Sequence, residues 1–312
     1  MPGTDEDEQL ALYVMQELSY RQIDGVDPAW EEDPSLLSLR RMLEARLERR
    51  LRASCATPTC NPGQVADAMI KLIDDADGPS LSSWVEAHGT IDHLREFAVH
   101  RSAYQLKEAD PHSFVIPRLP AGATKTAVLE IQFDEYGGAV PTEAHAALFA
   151  GTMREFGLDA SPGAYVDLLP AVTLRTNTLL NLLGRSRRLA GACIGHLAVF
   201  EMTSVEPMAR YAAAVRRILP GGDGTRAARF YDVHVAADGH HATVAKRMVR
   251  DLVIELPELA GEVLFGAAAL MHVEQCLAEH LLDRWQAGRT SLRAPLPGSR
   301  LRPDDVDYAE AG

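Results

Sequence analysis

Apolar residues recur along this chain at intervals of three and four almost from end to end, the spacing of one face of an α-helix. Leu10, Leu12, Val14, Met15 and Leu18 line one flank of a first helix that begins near Gln9. From Leu36 to Leu51, leucines at helical spacing alternate with arginine and glutamate, which predicts a surface helix with one buried stripe, capped by Asp33 or Ser35. The same spacing predicts helices over 65–76, 81–88 and 91–107, the last ending before Pro111 because proline cannot occupy a helix interior. Further helices are predicted over 124–136, 142–153, 164–183 with a kink or restart at Pro170, 187–203, 207–219, 226–256 in two pieces, and 260–287. Residues 1–7 read as a solvated acidic tail, 53–63 as a loop, and the stretch beyond Arg293, with Pro295, Pro297 and Pro303, as irregular. No run of β-branched residues alternates for more than a few positions. The pattern predicts an all-α fold, a helical bundle with many short connections.

Composition narrows the partners. With 312 residues the chain can bury a sizeable core, and 46% hydrophobic with 24% charged residues is ordinary for a soluble globular protein. A net charge of −13 disfavours nucleic acid or an anionic membrane, since both select a basic footprint. The acidic start, MPGTDEDEQ, is unlike a secretory or transit signal. The longest apolar run, around Leu189 to Met202, is interrupted by His196 and Glu201 and falls short of a bilayer span. Cys55, Cys60, Cys193 and Cys276 are too few and too scattered for a disulfide scaffold, and no second pair completes a zinc site with Cys55 and Cys60. A local disulfide or inert thiols are the expectation, and the compartment expected is the cytoplasm.

The chemistry concentrates where charged groups interrupt buried helices. In FYDVHVAADGHHATV, His234, Asp238 and His241 stand at i, i+4 and i+7, within about 60° of one another on one helical face. Two imidazoles and a carboxylate on one stripe suit a transition metal that accepts mixed nitrogen and oxygen donors. Glu201 lies in a helix apolar nearly all round, where a carboxylate must be paired, with Arg185 or Arg210 for instance, or coordinate a metal. His196, about 140° away on the same helix, reads as a hydrogen-bonded core histidine. Glu135 and His145 flank a Gly137–Gly138 break that can aim both side chains at one point. Glu108 stands near a helix C-terminus, where the dipole disfavours an anion, so Lys107, Arg101 or a metal should compensate it. Glu135, His145, Glu201, His234, Asp238, His241 and Glu108 together are what two metal ions inside a bundle need. The Glu-x-x-His signature of ferritin-like proteins is missing at these positions. His272, Cys276, Glu279 and His280 read as packing and solvated edge rather than a second metal site, and GGDGTR at 221–226 reads as a turn rather than a phosphate loop.

Three segments in order, EIQFDEYGG…HAALF, GHLAVFEMTS and FYDVHVAADGHH, resemble the haem-oxygenase-like di-iron oxidase and oxygenase family, the iron-containing redox enzymes. The resemblance covers about Ala98 to Leu282. It implies that the first segment supplies Glu135 and His145, the second Glu201, and the third His234 and Asp238 with His241 as a further ligand. Members that oxygenate nitrogen use an extra carboxylate from the preceding helix, which Glu108 matches. The implied organisation is a bundle over 93–290, N-terminal helices over 1–92 packed on it within one domain, and an irregular tail over 291–312. The implied cofactor is two ferrous ions with dioxygen as co-substrate, an external reductant and a small-molecule substrate, in a homodimer. The implied reaction is N-oxygenation of an amine or amino-acid-derived substrate, because a third histidine marks that branch. The alternatives are desaturation or C–C cleavage of an aliphatic or amino-acid substrate, and a scaffold that no longer activates oxygen. No catalytic group beyond the metal ligands is implied. Haem degradation is disfavoured, since buried carboxylates make poor neighbours for a porphyrin.

Overall fold

In the computed structural model, residues 5–20, 23 and 25–303 are described; the first four residues of the predicted acidic tail and 304–312 of the C-terminal stretch lie outside them. The described residues form α-helices joined by turns and short 3-10 segments, with no strand among them. In chain order these are α1 (Asp5–Glu17), α2 (Pro34–Ser54), α3 (Val65–Asp74), α4 (Leu81–His88), α5 (Ile91–Gln105) and α6 (Asp110–Ser113). They continue as α7 (Ala123–Glu135), α8 (His145–Glu155), α9 (Ala171–Arg185), α10 (Ala190–Thr203), α11 (Val205–Ile218), α12 (Gly222–Glu255) and α13 (Ala260–Gln286). None of them is long and apolar enough to cross a membrane.

Local chemistry sets the ends. The Asp33 carboxylate accepts from the backbone N–H groups of Ser35 and Leu36, both at 2.9 Å, and Pro34 opens α2, so Asp33 rather than Ser35 is the cap. Helix α1 begins at Asp5, earlier than the hydrophobic pattern implies, because its acidic first turn meets the positive end of the helix dipole. Helix α5 ends at Gln105 rather than running on toward Pro111, which instead opens the short α6. Pro170 marks a restart, with α9 beginning at the next residue. The two-piece expectation for 226–256 is wrong: α12 is one helix of 34 residues. Gly239 faces open space, while His234, Asp238, His241 and Ala245 keep the buried stripe in phase across it.

Two apolar clusters make up the interior. One gathers α10, α7, the C-terminal half of α12 and the first part of α13 around Ile131, Leu197, Met248 and Phe265. The other gathers α5, α8, α11, the start of α12 and the end of α13 around Phe97, Phe149, Phe230 and Trp285. Helix α12 passes through both, with Phe230 and Tyr231 in one and Val244 to Val253 in the other, and its polar residues 234–241 fall at the seam. Helices α10 and α13 meet at glycines. A Cβ on Gly195 would lie 1.9 Å from the Val263 carbonyl oxygen, and one on Gly266 would lie 1.8 Å from that of Ala192. The two backbones can pack at this distance only because both positions lack side chains.

The C-terminal segment is bound to α5 by a buried anion. Glu96 accepts hydrogen bonds from the Trp285 indole at 2.8 Å, the Ser291 N–H at 2.9 Å and the Ser291 hydroxyl at 2.7 Å, with the Thr290 hydroxyl as a further donor. Near the other end, the Lys107 ammonium and the Glu17 carboxylate pair in the interior, both almost wholly buried, joining α1 to the turn after α5. The four cysteines are free thiols, the second of the two alternatives expected for Cys55 and Cys60.

Candidate metal centre

Seven acidic and imidazole side chains converge at the seam between the two clusters, and all are buried. Glu108, Glu135, His145 and His234 form one group of potential ligand atoms; Glu135, Glu201, Asp238 and His241 form another, and within each group those atoms lie within 4.8 Å of one another. Glu135 belongs to both. These are the seven residues that the sequence singles out, drawn from the turn after α5 and from α7, α8, α10 and α12.

Each element presents its residue for a local reason. On α12, His234, Asp238 and His241 share one face by helical spacing. Between α7 and α8 the chain reverses through Gly137, Gly138 and Ala139, with φ of 81°, 59° and 70°. A Cβ on Gly137 would stand 2.4 Å from the Ala144 backbone nitrogen, so only glycine permits a turn this tight. The result brings His145 Nδ1 within 2.7 Å of Glu135 Oε2. Glu108 lies in the turn beyond α5, next to Ala109 at φ 82°, and not in the last turn of a helix as its sequence suggests. Neither predicted basic compensator serves it, because Lys107 pairs with Glu17 and Arg101 with Glu274; its neighbour is His234 Nε2 at 3.7 Å. Arg210 pairs with Glu206 and Glu86, and the Arg185 guanidinium stacks by Phe114, so neither neutralises Glu201.

Outer contacts orient the imidazoles. His234 Nδ1 donates to the Phe230 carbonyl at 2.9 Å, which turns Nε2 toward Glu108. His241 Nε2 meets Asp134 Oδ2 at 3.0 Å, while its Nδ1 faces Glu201 at 3.1 Å and Asp238 at 3.6 Å. Asp134 therefore has a role that its sequence position reveals only through the rule that a ligating histidine holds its second nitrogen on an acceptor.

The buried acids and imidazoles shift one another's titration. Burial raises the carboxyls of Glu108, Glu135 and Glu201 above the usual carboxylate range. Burial also opposes charge on His234, but the hydrogen bond and field of Glu108, with Glu135 and Asp238, carry it up to about 10. His241 is lifted to about 11 against its own burial by Asp238 and Glu201. His145, held down by burial and by His234, falls to about 4. Three potential donor atoms at the seam, Glu108 Oε2, His145 Nδ1 and Asp238 Oδ1, have no hydrogen-bond partner. The short His145–Glu135 contact is therefore an approach of 2.7 Å without hydrogen-bond geometry. Buried and gathered within 4.8 Å in each group, with mixed carboxylate and imidazole donors, these residues fit iron.

A cavity of about 30 Å³ lies among Glu108, Glu135, Glu201, His234 and Asp238, walled by Tyr104, His112, Leu197 and Phe200. His196 is a hydrogen-bonded core residue, its Nδ1 3.1 Å from His112 Nε2. The other histidine cluster does not assemble: His280 binds the Ser291 carbonyl, while His272 lies 3.9 Å from Cys276 Sγ. Beside the small cavity lies a larger one, lined in part by Arg101, Gln105, Tyr231 and Glu274, which sequence reasoning misses altogether.

Against known proteins, a family model described as iron-containing redox enzyme matches residues 95–275. No curated protein matches the chain. Among solved structures, a CADD-like protein of unknown function from Nostoc punctiforme shares the fold, with a TM-score of 0.56 and 15% identity over 71% of this chain and 97% of that one. A second structure of that protein aligns with a TM-score of 0.45 and 13% identity over 80% of this chain and 98% of the other.

Proposed function

As a member of the iron-containing redox enzyme family, to which this chain belongs over more than half its length, the protein is an iron-dependent oxidoreductase, and we propose that it is a di-iron oxygenase of small molecules. The observation that carries this reading is the pair of ligand groups sharing Glu135, each with carboxylate and imidazole donors. Glu108, His145 and His234 with Glu135 would hold one iron; Glu201, Asp238 and His241 with Glu135 would hold the other. When bound, two ferrous ions supply two electrons and open positions for dioxygen, so that an amine takes one oxygen atom, the second leaves as water, and an external reductant restores the ferrous state.

The protein's own groups prepare that site. Phe230 and Asp134 fix the rings of His234 and His241, so their inward nitrogens need no reorientation. Leu197, Phe200 and Met208 make the wall of the centre apolar and exclude water. His241 supplies a third imidazole, buried and directed at Glu201 and Asp238. That third imidazole favours N-oxygenation of an amine or amino-acid-derived substrate over desaturation or C–C cleavage.

Anaerobic titration with ferrous iron should saturate at about two irons per chain, and mixing with oxygen should give a transient visible absorbance. Hydroxylamine or nitro products from an amine panel support the proposed reaction. Alkenes from an aliphatic panel would replace it with desaturation or cleavage, and failure to take up iron would leave a scaffold.

A further inference from the structure

Next to the metal centre is a cavity of about 350 Å³, within the range of small-molecule sites. It runs between the loop before α4, helix α5, the α10–α11 junction, α12 and α13. Phe200, Ser204 and Met208 line both this cavity and the metal centre, so the two adjoin there. Most of its wall is apolar, including Phe97, Val199, Leu270 and Met271.

Three buried polar atoms in that wall have no partner: Gln105 Oε1, Ser204 Oγ and the Tyr231 hydroxyl. Gln105 is 7% exposed and Tyr231 is 1% exposed, so the cavity is the space from which either atom can be paired. An unsatisfied buried polar atom costs about 1–3 kcal/mol, and three of them bordering one cavity call for a ligand that pairs with them. Beside them the Arg101 guanidinium grips Glu274 through two bonds of 2.8 and 2.6 Å, offering both charges and no net charge.

The order of residues sets the direction. Arg101 and Gln105 precede Glu108 by seven and three positions, Tyr231 precedes His234 by one turn, and Ser204 follows Glu201 by one turn. Arg101 therefore stands one turn before the end of α5, on the far side of Gln105 from the turn that carries Glu108.

Building on the di-iron reading, we propose that Arg101, Gln105, Tyr231 and Glu274 form a head-group subsite for a zwitterionic α-amino acid, whose side chain extends past Phe200 and Met208 so that a remote atom reacts. A lone carboxylate would meet Glu274, and a lone ammonium would meet Arg101. A zwitterion satisfies both, its carboxylate taking the Tyr231 hydroxyl and free N–H groups of Arg101, its ammonium taking Glu274 and Gln105 Oε1. The head then never reaches the irons, and the length of the side chain selects the substrate.

The test is calorimetric titration of iron-free protein with α-aminooctanoic acid, octanoate, octylamine and octanamide. The amino acid should bind at least about ten-fold more tightly than the other three, the cost of leaving one buried polar partner unpaired. Tyr231→Phe and Gln105→Leu should each weaken it by about ten-fold while Tm stays level or rises, because each removes an unsatisfied atom. Equal binding of octanoate, octylamine or octanamide overturns the zwitterionic subsite, as does no binding of any probe or unchanged affinity in both variants. Because iron is omitted, failure to bind iron or react with oxygen counts against the di-iron reading alone, and normal iron uptake without probe binding counts against this subsite alone.

Discussion

His241 has no exposed surface, and it uses both ring nitrogens, one outward on Asp134 and one inward on Glu201 and Asp238. Asp134→Asn keeps the shape and removes the charge that holds the ring. It should lower affinity at one of two iron positions by about 10–100-fold and leave the other intact, as equilibrium metal analysis would show. Equal weakening of both positions would refute the assignment of His241 to one group. A different residue-scale effect comes from His112, buried against Tyr104, His196 and Phe200, whose burial pushes its pKa down to about 3. In the unfolded chain a histidine titrates near 6.5. Between those values only the unfolded state takes the proton, so His112 contributes stability that is complete above about pH 6.5 and declines as the pH falls toward 3. By pH 5 the loss should be about 2 kcal/mol, and His112→Phe should flatten the dependence of Tm on pH in that range. Much of the centre was legible at this scale because a charge inside an apolar stripe is visible in one dimension. Glu201 and His145 stand out in that way. Asp134 reads only as a further polar candidate of its helix, since its role depends on a ring 107 residues away.

Among the elements, the crossing of α10 and α13 is the least tolerant of change. Gly266→Ala would place a methyl group 1.8 Å from the Ala192 carbonyl oxygen, so the helices must separate. Overpacking of this kind costs about 1–3 kcal/mol, a Tm lower by several degrees in thermal denaturation. An unchanged Tm would mean that the crossing is looser than described. Gly137→Ala tests the α7–α8 turn instead: it should weaken iron binding more than stability, because the turn sets where Glu135 and His145 point. Most helices could be read from apolar spacing, and 81–88 matches α4 end to end. The exceptions have physical causes. The stretch 226–256 reads as two pieces, yet packing on both sides keeps α12 whole, while α5 stops at Gln105 and the chain turns, carrying Glu108 inward.

For the whole molecule, the centre lies where two apolar clusters abut, and α12 is one of the helices that cross between them. Iron that binds the folded chain alone should therefore stabilise the entire domain, by about 2.7 kcal/mol at a hundred times Kd. Anaerobic thermal denaturation with and without ferrous ion measures this, and coincident melting of both clusters is expected. The larger cavity was not legible at any scale below this one. Arg101 and Glu274 are 173 residues apart, and each reads alone as an ordinary surface charge. One arrangement has a further consequence. Glu135 is common to both ligand groups, so the first ion to arrive pre-aligns a donor for the second. Glu135→Gln should weaken both positions, whereas Glu108→Gln should weaken only the one it lines.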